Sequence, residues 1–366
     1  MRIEGLEKWV PGYEKPLVIA GPCSVESKAQ FSDTLVGLPA GKVHFVRGGI
    51  WKPRTRPGQF EGQGEQALQW VDAVKADHPF RFATEVATPE HVQTALANGV
   101  ELLWIGARTT VNPFVVQQLA DAVKGHDVAV FVKNPVHPDL ALWKGAIERF
   151  AAVGITKLGA IHRGFHSYEP SKYRNPPYWQ IPLELKSTWP ELPLICDPSH
   201  ITGDREMVAA VAQRALDLDY DGLMIETHCR PDEALSDAAQ QVSPDQLIQI
   251  LSELQLRAST FSDVLIQDQL AHLREQIDQA DRDILQAIAR RMELVEHIGD
   301  YKKENNVAIF QISRWKEVFR SRPEWAKALG LDPEFIMELY RQIHQQSVKK
   351  QTSIFKQDKA PAATDK

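Results

Sequence analysis

Two sets of ionisable residues stand out in the first two thirds of this chain. The first set offers a thiol, an imidazole and two carboxylates, from Cys23, His200, Glu226 and Asp237. A thiol and an imidazole beside carboxylates suit a divalent transition metal, whereas an all-oxygen set would suit Mg²⁺ or Ca²⁺. The first set therefore predicts a site for Mn²⁺, Fe²⁺, Co²⁺ or Zn²⁺, and the residue types do not choose among these metals.

The second set is cationic and consists of Arg47, Lys52, Arg54, Arg108, Lys133 and Arg163. An arginine fork matches a phosphate or a carboxylate, and lysine supplies a point charge. For any one of these residues, a solvated loop charge is an equally good interpretation. Together the six residues carry more positive charge than one small phosphate requires. They therefore favour two phosphorylated substrates, or one substrate with a phosphate and a carboxylate and a second with a phosphate.

Short apolar runs would place both sets at one edge of the fold. Members of the sets stand at or just after the end of every run except the third, which ends with another ionisable residue, Glu85. Helical patterns or long loops follow the runs, and strand–helix alternation indicates a parallel sheet. Eight repeats favour closure into a (β/α)₈ barrel, a TIM barrel of the α/β class, whose active sites lie at the carboxyl ends of the strands. The predicted strands are 16–21, 44–48, 81–86, 102–106, 129–133, 157–163, 193–196 and 222–226.

Length and pattern divide the 366 residues into a barrel over 1–256 and an all-helical domain over 268–355. A linker at 257–267 joins them, and the polar tail 356–366 is expected to be disordered. The helical domain begins with a long helix over 270–303, continues with a helix that starts at Ser313 and breaks at Pro323, and ends with a helix over 332–353. The first helix is about 50 Å long at 1.5 Å per residue. Its apolar stripe cannot be buried within so small a domain, which predicts a homodimer or a higher oligomer.

Composition excludes several classes of protein. Hydrophobic residues at 43% and charged residues at 25% are typical of a globular chain, and no apolar run approaches the roughly 20 residues of a membrane helix. The net charge of −6 argues against a nucleic-acid-binding surface. Three cysteines are too few for a disulfide framework, and the N-terminus lacks an apolar signal segment. We therefore expect a cytoplasmic protein with no nucleic-acid or membrane partner.

A cation interrupts the apolar stripe of the long helix. Arg291 stands in a seven-residue spacing with Ile284 and Ile298, and a buried charge is costly unless it is paired. Lys302 lies about three turns further along the same face, so both side chains could bind one small dianion. Arg274 faces about 100° away and could serve the pocket of a partner helix. The alternative is a surface arginine that only fixes the helix register.

Several short motifs follow the predicted strands: GPCSVES, KPRT, GARTT, VKNP, HRG, DPSH and ALSD. Over residues 10–255 these motifs resemble the type Iβ branch of 3-deoxy-D-arabino-heptulosonate 7-phosphate (DAHP) synthase. The resemblance implies condensation of phosphoenolpyruvate with erythrose 4-phosphate, the first step of the shikimate pathway. A similar family, 3-deoxy-octulosonate 8-phosphate synthase, carries a different motif at KPRT and is a remote alternative.

The resemblance also implies roles for individual residues. The implied ligands of a divalent metal cofactor are Cys23, His200, Glu226 and Asp237. Phosphoenolpyruvate would contact Arg47, Lys52, Arg108, Lys133 and Arg163. Erythrose 4-phosphate would contact Lys52, Pro53, Arg54 and Thr55.

The long helix contains LREQIDQADRDILQAIARRMELVEHIGDYKK, which resembles the first helix of AroQ-type chorismate mutases. The resemblance implies conversion of chorismate to prephenate, and Arg274 would cross to the site of the other subunit. The family pattern D-x-x-R-E is not kept, since Gln311 and Trp315 stand where acids are usual. The implied residues that bind chorismate or prephenate are Arg274, Arg291, Lys302, Arg314 and Gln351.

The helical domain allows two interpretations, which can coexist. In the first, it is a working mutase, and the chain is a bifunctional enzyme. In the second, it only dimerises the protein and senses chorismate or prephenate, and the chain is a DAHP synthase alone. We expect a bifunctional enzyme whose helical domain also mediates feedback inhibition by prephenate or chorismate.

Overall fold

The computed structural model describes residues 1–52, 58–258 and 264–356. The chain forms two compact units, of which the structure describes residues 1–52 and 58–258 in the first and 264–356 in the second. Pro53, Arg54 and Thr55 of the expected erythrose 4-phosphate site lie outside the described residues. So do residues 259–263 of the expected linker and residues 357–366 of the expected tail.

The first unit is a closed barrel of eight parallel strands in sequence order, and the predicted fold class is confirmed. The barrel closes between the first and last strands, where Leu17 pairs with Gly222 and Gly21 with Glu226. The strands are β1 (Leu17–Gly21), β2 (Phe45–Arg47), β3 (Phe82–Val86), β4 (Leu102–Ile105), β5 (Ala129–Lys133), β6 (Leu158–His162), β7 (Leu194–Cys196) and β8 (Gly222–Glu226).

Helices connect and surround these strands, and polar caps fix where several of them begin. Asn112 accepts backbone hydrogen bonds ahead of Pro113, and Ser243 forms a reciprocal capping box with Gln246. Short 3₁₀ turns lie at Arg205–Met207, Pro231–Glu233 and Ala238–Gln240. The α-helices are α1 (Leu6–Trp9), α2 (Lys28–Gly37), α3 (Glu65–Lys75), α4 (Pro89–Ala97), α5 (Ala107–Thr110), α6 (Pro113–Val123), α7 (Leu140–Ala152), α8 (Gln180–Thr188), α9 (Pro198–Thr202), α10 (Val208–Asp217) and α11 (Pro244–Glu253).

Apolar side chains fill the inside of the barrel. Ile19, Trp104, Phe131 and Met224 belong to one buried cluster there, and each large side chain contributes about 1.5–3 kcal/mol to folding when it is buried. Trp9 of α1 joins this cluster and packs on Phe131 at a ring distance of 6.2 Å. Because the interior is packed, the space for ligands lies at the carboxyl ends of the strands.

The second unit is made of the helices α12 (Val264–Glu304), α13 (Ile312–Ala328) and α14 (Pro333–Lys356). α12 begins before the expected residue 270, because the segment 264–269 contains no glycine or proline that would stop a helix. α14 likewise continues to Lys356, the first residue of the expected tail. None of the helices in the described part of the chain is long and apolar enough to cross a membrane.

The predicted break at Pro323 is wrong, because α13 continues through this proline. Pro323 has no N–H and cannot bond the carbonyl of Phe319, which normally weakens a helix at this point. The guanidinium of Arg322 lies 4.3 Å from the ring of Trp325 in the next turn and 5.7 Å from the ring of Tyr340 in α14. These contacts stabilise the turn that contains the proline.

Candidate active sites of the two units

The four candidate metal ligands lie together at the carboxyl end of the barrel. Cys23 follows β1, Glu226 ends β8, and Asp237 lies in the loop after β8. One ligand atom from each of these three residues lies within 4.8 Å of the others. His200 of α9 joins them, with its Nε2 atom 3.9 Å from Oε1 of Glu226. Topology therefore assembles residues that are far apart in the sequence.

A glycine allows the approach of Cys23 to this cluster. Gly21 ends β1 with a φ of +142°, and a Cβ atom there would lie 2.2 Å from the carbonyl oxygen of Arg47. Only glycine fits so close to the neighbouring strand without displacing it. The backbone N–H of Cys23 then donates to the Gln241 side chain at 2.9 Å, which fixes the start of the loop.

Two cations from the β2 region contact the candidate ligands directly. Nζ of Lys52 lies 3.0 Å from Sγ of Cys23, and Nη2 of Arg47 lies 3.0 Å from Oε1 of Glu226. Burial and the charge of Glu226 nevertheless raise the pKa of the Cys23 thiol to about 12. Although burial opposes its ionisation, Glu226 has a pKa below its ordinary value, because His200 and Arg47 stabilise the charged form.

The donor set fits a bound divalent metal ion. A buried thiol and two carboxylates within 4.8 Å of one another are costly to bury unless they share a cation. Sulfur, nitrogen and carboxylate oxygen donors are the ligands that borderline transition metals accept.

Three polar residues outside the predicted sets orient the candidate ligands. Asp197 caps α9 by accepting from the backbone N–H of His200 at 3.1 Å, and its carboxylate also lies 2.9 Å from Nδ1 of the same histidine. Arg174 donates to Asp237 at 2.9 Å. Gln240 donates to Glu226 at 2.7 Å.

The sequence carried a signal for only some of these residues. Asp197 stands inside the DPSH motif beside His200 and could have been named. Arg174 lies in a long loop between β6 and α8 with no recognisable motif, and only the folded chain brings it to the site.

A cavity of about 320 Å³ lies beside the candidate metal ligands. Arg108, Lys133 and Arg163 of the predicted cationic set line it, whereas Arg47 and Lys52 lie against the candidate ligands instead. Its other lining residues are Glu85, Ala107, Val136, His166, Arg174, Asn175, His200 and Asp237.

Like charges crowd this cavity. Burial and the neighbouring charges of Arg174 and Arg108 together lower the pKa of Arg163 to about 10, against the opposing effect of Asp197. Lys133 forms a buried ion pair with Asp197 at 2.8 Å. An anionic ligand would stabilise such a cluster of cations, so the cavity suits a small phosphate or carboxylate.

The helical unit contains a separate cavity of about 520 Å³. Four of the predicted residues line it: Arg291, Lys302, Arg314 and Gln351. Lys302 donates to the backbone oxygen of Ile309 at 2.6 Å and lies 3.4 Å from Oε1 of Gln351. Arg274 is not among the described residues that line this cavity.

Ser347 also lines this cavity, although no sequence motif marks it. Its hydroxyl accepts a hydrogen bond from Nη1 of Arg291 at 2.7 Å. This bond fixes the guanidinium against α14. The two residues that replace the usual acids, Gln311 and Trp315, also line the cavity.

Each of the two units matches a known protein family. Residues 3–261 match the family model described as the DAHP synthetase I family. The chain belongs to this family. Residues 273–352 match the model described as chorismate mutase type II. Both matched domains are enzymes, so the chain is a fusion of a DAHP synthase domain and a chorismate mutase domain, as the sequence predicted.

Individual relatives resemble each part. A phospho-2-dehydro-3-deoxyheptonate aldolase of Thermotoga maritima is 28% identical over 65% of this chain and 68% of its own length. The crystal structure of a DAHP synthase from the same organism matches with a TM-score of 0.59 at 26% identity, over 65% of this chain and 68% of that one. An isochorismate pyruvate lyase of Pseudomonas aeruginosa is 34% identical over 25% of this chain and 91% of its own length.

Proposed function

We propose that the barrel unit condenses phosphoenolpyruvate with erythrose 4-phosphate in a metal-dependent reaction. One observation carries the proposal: His200 and Asp237 belong to the candidate metal cluster and also line the cationic cavity. A metal site and an anion site that share a wall can act on one reacting pair of molecules.

Cys23, His200, Glu226 and Asp237 would hold the metal. The ion would act as a Lewis acid that polarises the aldehyde oxygen of the sugar phosphate. Its identity among Mn²⁺, Fe²⁺, Co²⁺ and Zn²⁺ stays open, because the donor set accepts all of them.

The cationic residues would bind and orient phosphoenolpyruvate. Arg108, Lys133 and Arg163 supply three positive charges around its phosphate and carboxylate, which positions C3 for attack on the aldehyde carbon. After that bond forms, water adds at C2 and phosphate leaves. Lys52 is proposed to contribute to both substrate subsites, together with Arg47 for phosphoenolpyruvate and with Pro53, Arg54 and Thr55 for erythrose 4-phosphate.

A product assay tests this function. The enzyme should consume phosphoenolpyruvate with erythrose 4-phosphate, and a chelator should stop the reaction until divalent metal is added back. Arabinose 5-phosphate, the alternative aldehyde, should give at most a trace of product. Turnover of arabinose 5-phosphate without turnover of erythrose 4-phosphate would support the octulosonate alternative instead.

For the helical unit we propose conversion of chorismate to prephenate. Arg291 and Arg314 would bind the two carboxylates, and Lys302 and Gln351 would donate to the ether oxygen as negative charge develops on it. The rearrangement needs no covalent or acid–base step, so positioned donors are sufficient. In a homodimer, Arg274 of one subunit would complete the cavity of the other.

A regulatory role of the helical unit is the alternative. It is favoured by Gln311 and Trp315, which stand where the family usually has acids and so could lower the mutase rate. In that case the unit would bind chorismate or prephenate without converting it. Whether the helical unit is a mutase or only a regulatory unit, bound prephenate would inhibit the condensation. An assay of chorismate conversion distinguishes the mutase from the purely regulatory unit.

We also assign the enzyme to a reducing compartment such as the cytoplasm. The structure describes Cys23, Cys196 and Cys229 as free cysteines. A metal-binding role for Cys23 requires the reduced thiol.

A further inference from the structure

The charges around the helical cavity are strongly one-sided. Arg291, Lys302, Arg314 and Arg322 all line it, and among the described residues no aspartate or glutamate does. The nearby acid Glu317 forms an ion pair with Arg314 at 2.6 Å, and both side chains are more than half exposed. This pair therefore lies on the solvent side of Arg314 and leaves the cavity wall without a carboxylate.

Aromatic rings occupy the position where the family pattern has its second acid. The Trp315 ring lies 4.1 Å from the His344 ring and 4.2 Å from the Phe319 ring. Phe310 lies 6.1 Å from Trp315 and from His344. This part of the wall is therefore rigid and apolar, apart from the imidazole.

His344 offers a free hydrogen-bonding atom at this wall. Its Nε2 atom is buried and has no hydrogen-bond partner among the described residues. Burial lowers its pKa, and the charges of Arg291 and Lys302 lower it further, so the ring is neutral at neutral pH. A neutral imidazole can exchange a hydrogen bond with an alcohol, and it brings no negative charge that would attract an ammonium group.

We propose that Trp315 and His344 make this cavity selective for a dicarboxylate whose remaining polar group is a neutral hydroxyl, and that an analogue with an ammonium group there is rejected. The inference rests on the chorismate mutase function proposed above and specifies its substrate class. Arg314 is already paired with Glu317, so two ligand carboxylates leave one of the four lining cations uncompensated. A third, positive group on the ligand would therefore meet an uncompensated like charge, which is strongly unfavourable in a partly buried site.

The test compares chorismate with 4-amino-4-deoxychorismate, in which an ammonium replaces the ring hydroxyl. Dissociation constants and, where conversion occurs, kcat/KM are measured for the full-length protein with both compounds. We expect a preference for chorismate of at least about 100-fold, as several kcal/mol of like-charge repulsion implies. Trp315→Glu should reduce this preference at least about tenfold, because it restores a carboxylate to the wall.

Two further variants make the test specific. His344→Glu adds an acid to the same wall while Trp315 stays in place, and it should also reduce the preference. Ser313→Glu adds the same charge on an exposed position of α13 outside the cavity and should leave the preference unchanged. Because the readout is a ratio of two ligands on one variant, a general loss of stability would not produce the expected result.

Three results would overturn the inference. If the native protein binds both compounds within about threefold of each other, the selectivity is wrong while the mutase function stands. If the preference persists in both acidic wall variants, Trp315 and His344 do not determine it. If neither compound binds, the inference and the proposed function of the helical unit fail together.

Discussion

At the scale of single residues, Asp197 connects the two halves of the barrel site. Its buried carboxylate accepts from Nδ1 of His200 and forms the ion pair with Lys133. A histidine whose Nδ1 is held by a carboxylate presents Nε2 in a fixed direction, the usual arrangement around metal-binding histidines. The same carboxylate places the ammonium group of Lys133 at the wall of the anion cavity.

We therefore predict that Asp197→Asn weakens both functions of the site. Loss of the orienting carboxylate should lower the affinity for a divalent metal about 10–100-fold, and the KM for phosphoenolpyruvate should rise because Lys133 loses its partner. Competition of Mn²⁺ binding with a chelator and steady-state kinetics measure the two effects. Asp219→Asn is the matched control, since Asp219 pairs with Lys15 at the surface, away from the metal ligands. Equal metal affinity in the two variants would contradict this role of Asp197.

At the scale of elements, α12 exposes much of its apolar stripe. Leu273, Ile277 and Ile284 are each more than half exposed, although they lie in a helix of 41 residues. Towards the other end of the helix Val295 is buried, whereas Leu294 and Ile298 of the stripe stay about half exposed. An apolar surface of this length favours association with a second helix.

Ile284→Asp is predicted to disrupt the dimer. The side chain is 55% exposed, so the substitution removes little packing within the chain, but it would bury a charge in a helix–helix interface. Light scattering should show the native protein as a dimer or larger assembly, and the variant should shift towards the monomer. Gln286→Asp, on another face of the same helix, should leave the mass unchanged. A native protein that is monomeric at micromolar concentration would contradict the prediction.

The strands and helices also show which structural features the sequence patterns predict and which they do not. Each of the strands was predicted to within about two residues, because an apolar run bounded by turn residues has few other structures available. The predicted break at Pro323 is wrong, because the helix is also held by the contact of Arg322 with Tyr340 of α14, and this tertiary contact cannot be inferred from the local sequence. Arg174 and Gln240 were missed because their contacts with Asp237 and Glu226 depend on how the loops after β6 and β8 fold over the end of the barrel.

At the scale of the whole molecule, feedback inhibition connects the two proposed functions. If prephenate binds in the helical cavity and inhibits the barrel, then Arg291→Ala should desensitise the condensation reaction. The expected result is a rise of at least about tenfold in the prephenate concentration that halves the DAHP synthase rate, since a lost charge-assisted bond costs about 1.5–3 kcal/mol. The uninhibited rate should stay near the native value. Unchanged inhibition in this variant would show that prephenate acts elsewhere.

The central claim is that one chain carries two enzyme sites, each built from its own residues. It is tested most directly by measuring both rates, DAHP formation and chorismate conversion, on the same preparations of Cys23→Ser and Arg291→Ala. We predict that Cys23→Ser loses DAHP formation and keeps chorismate conversion, and that Arg291→Ala does the reverse. Native rates of both reactions in either variant, or loss of both reactions in each, would contradict the claim.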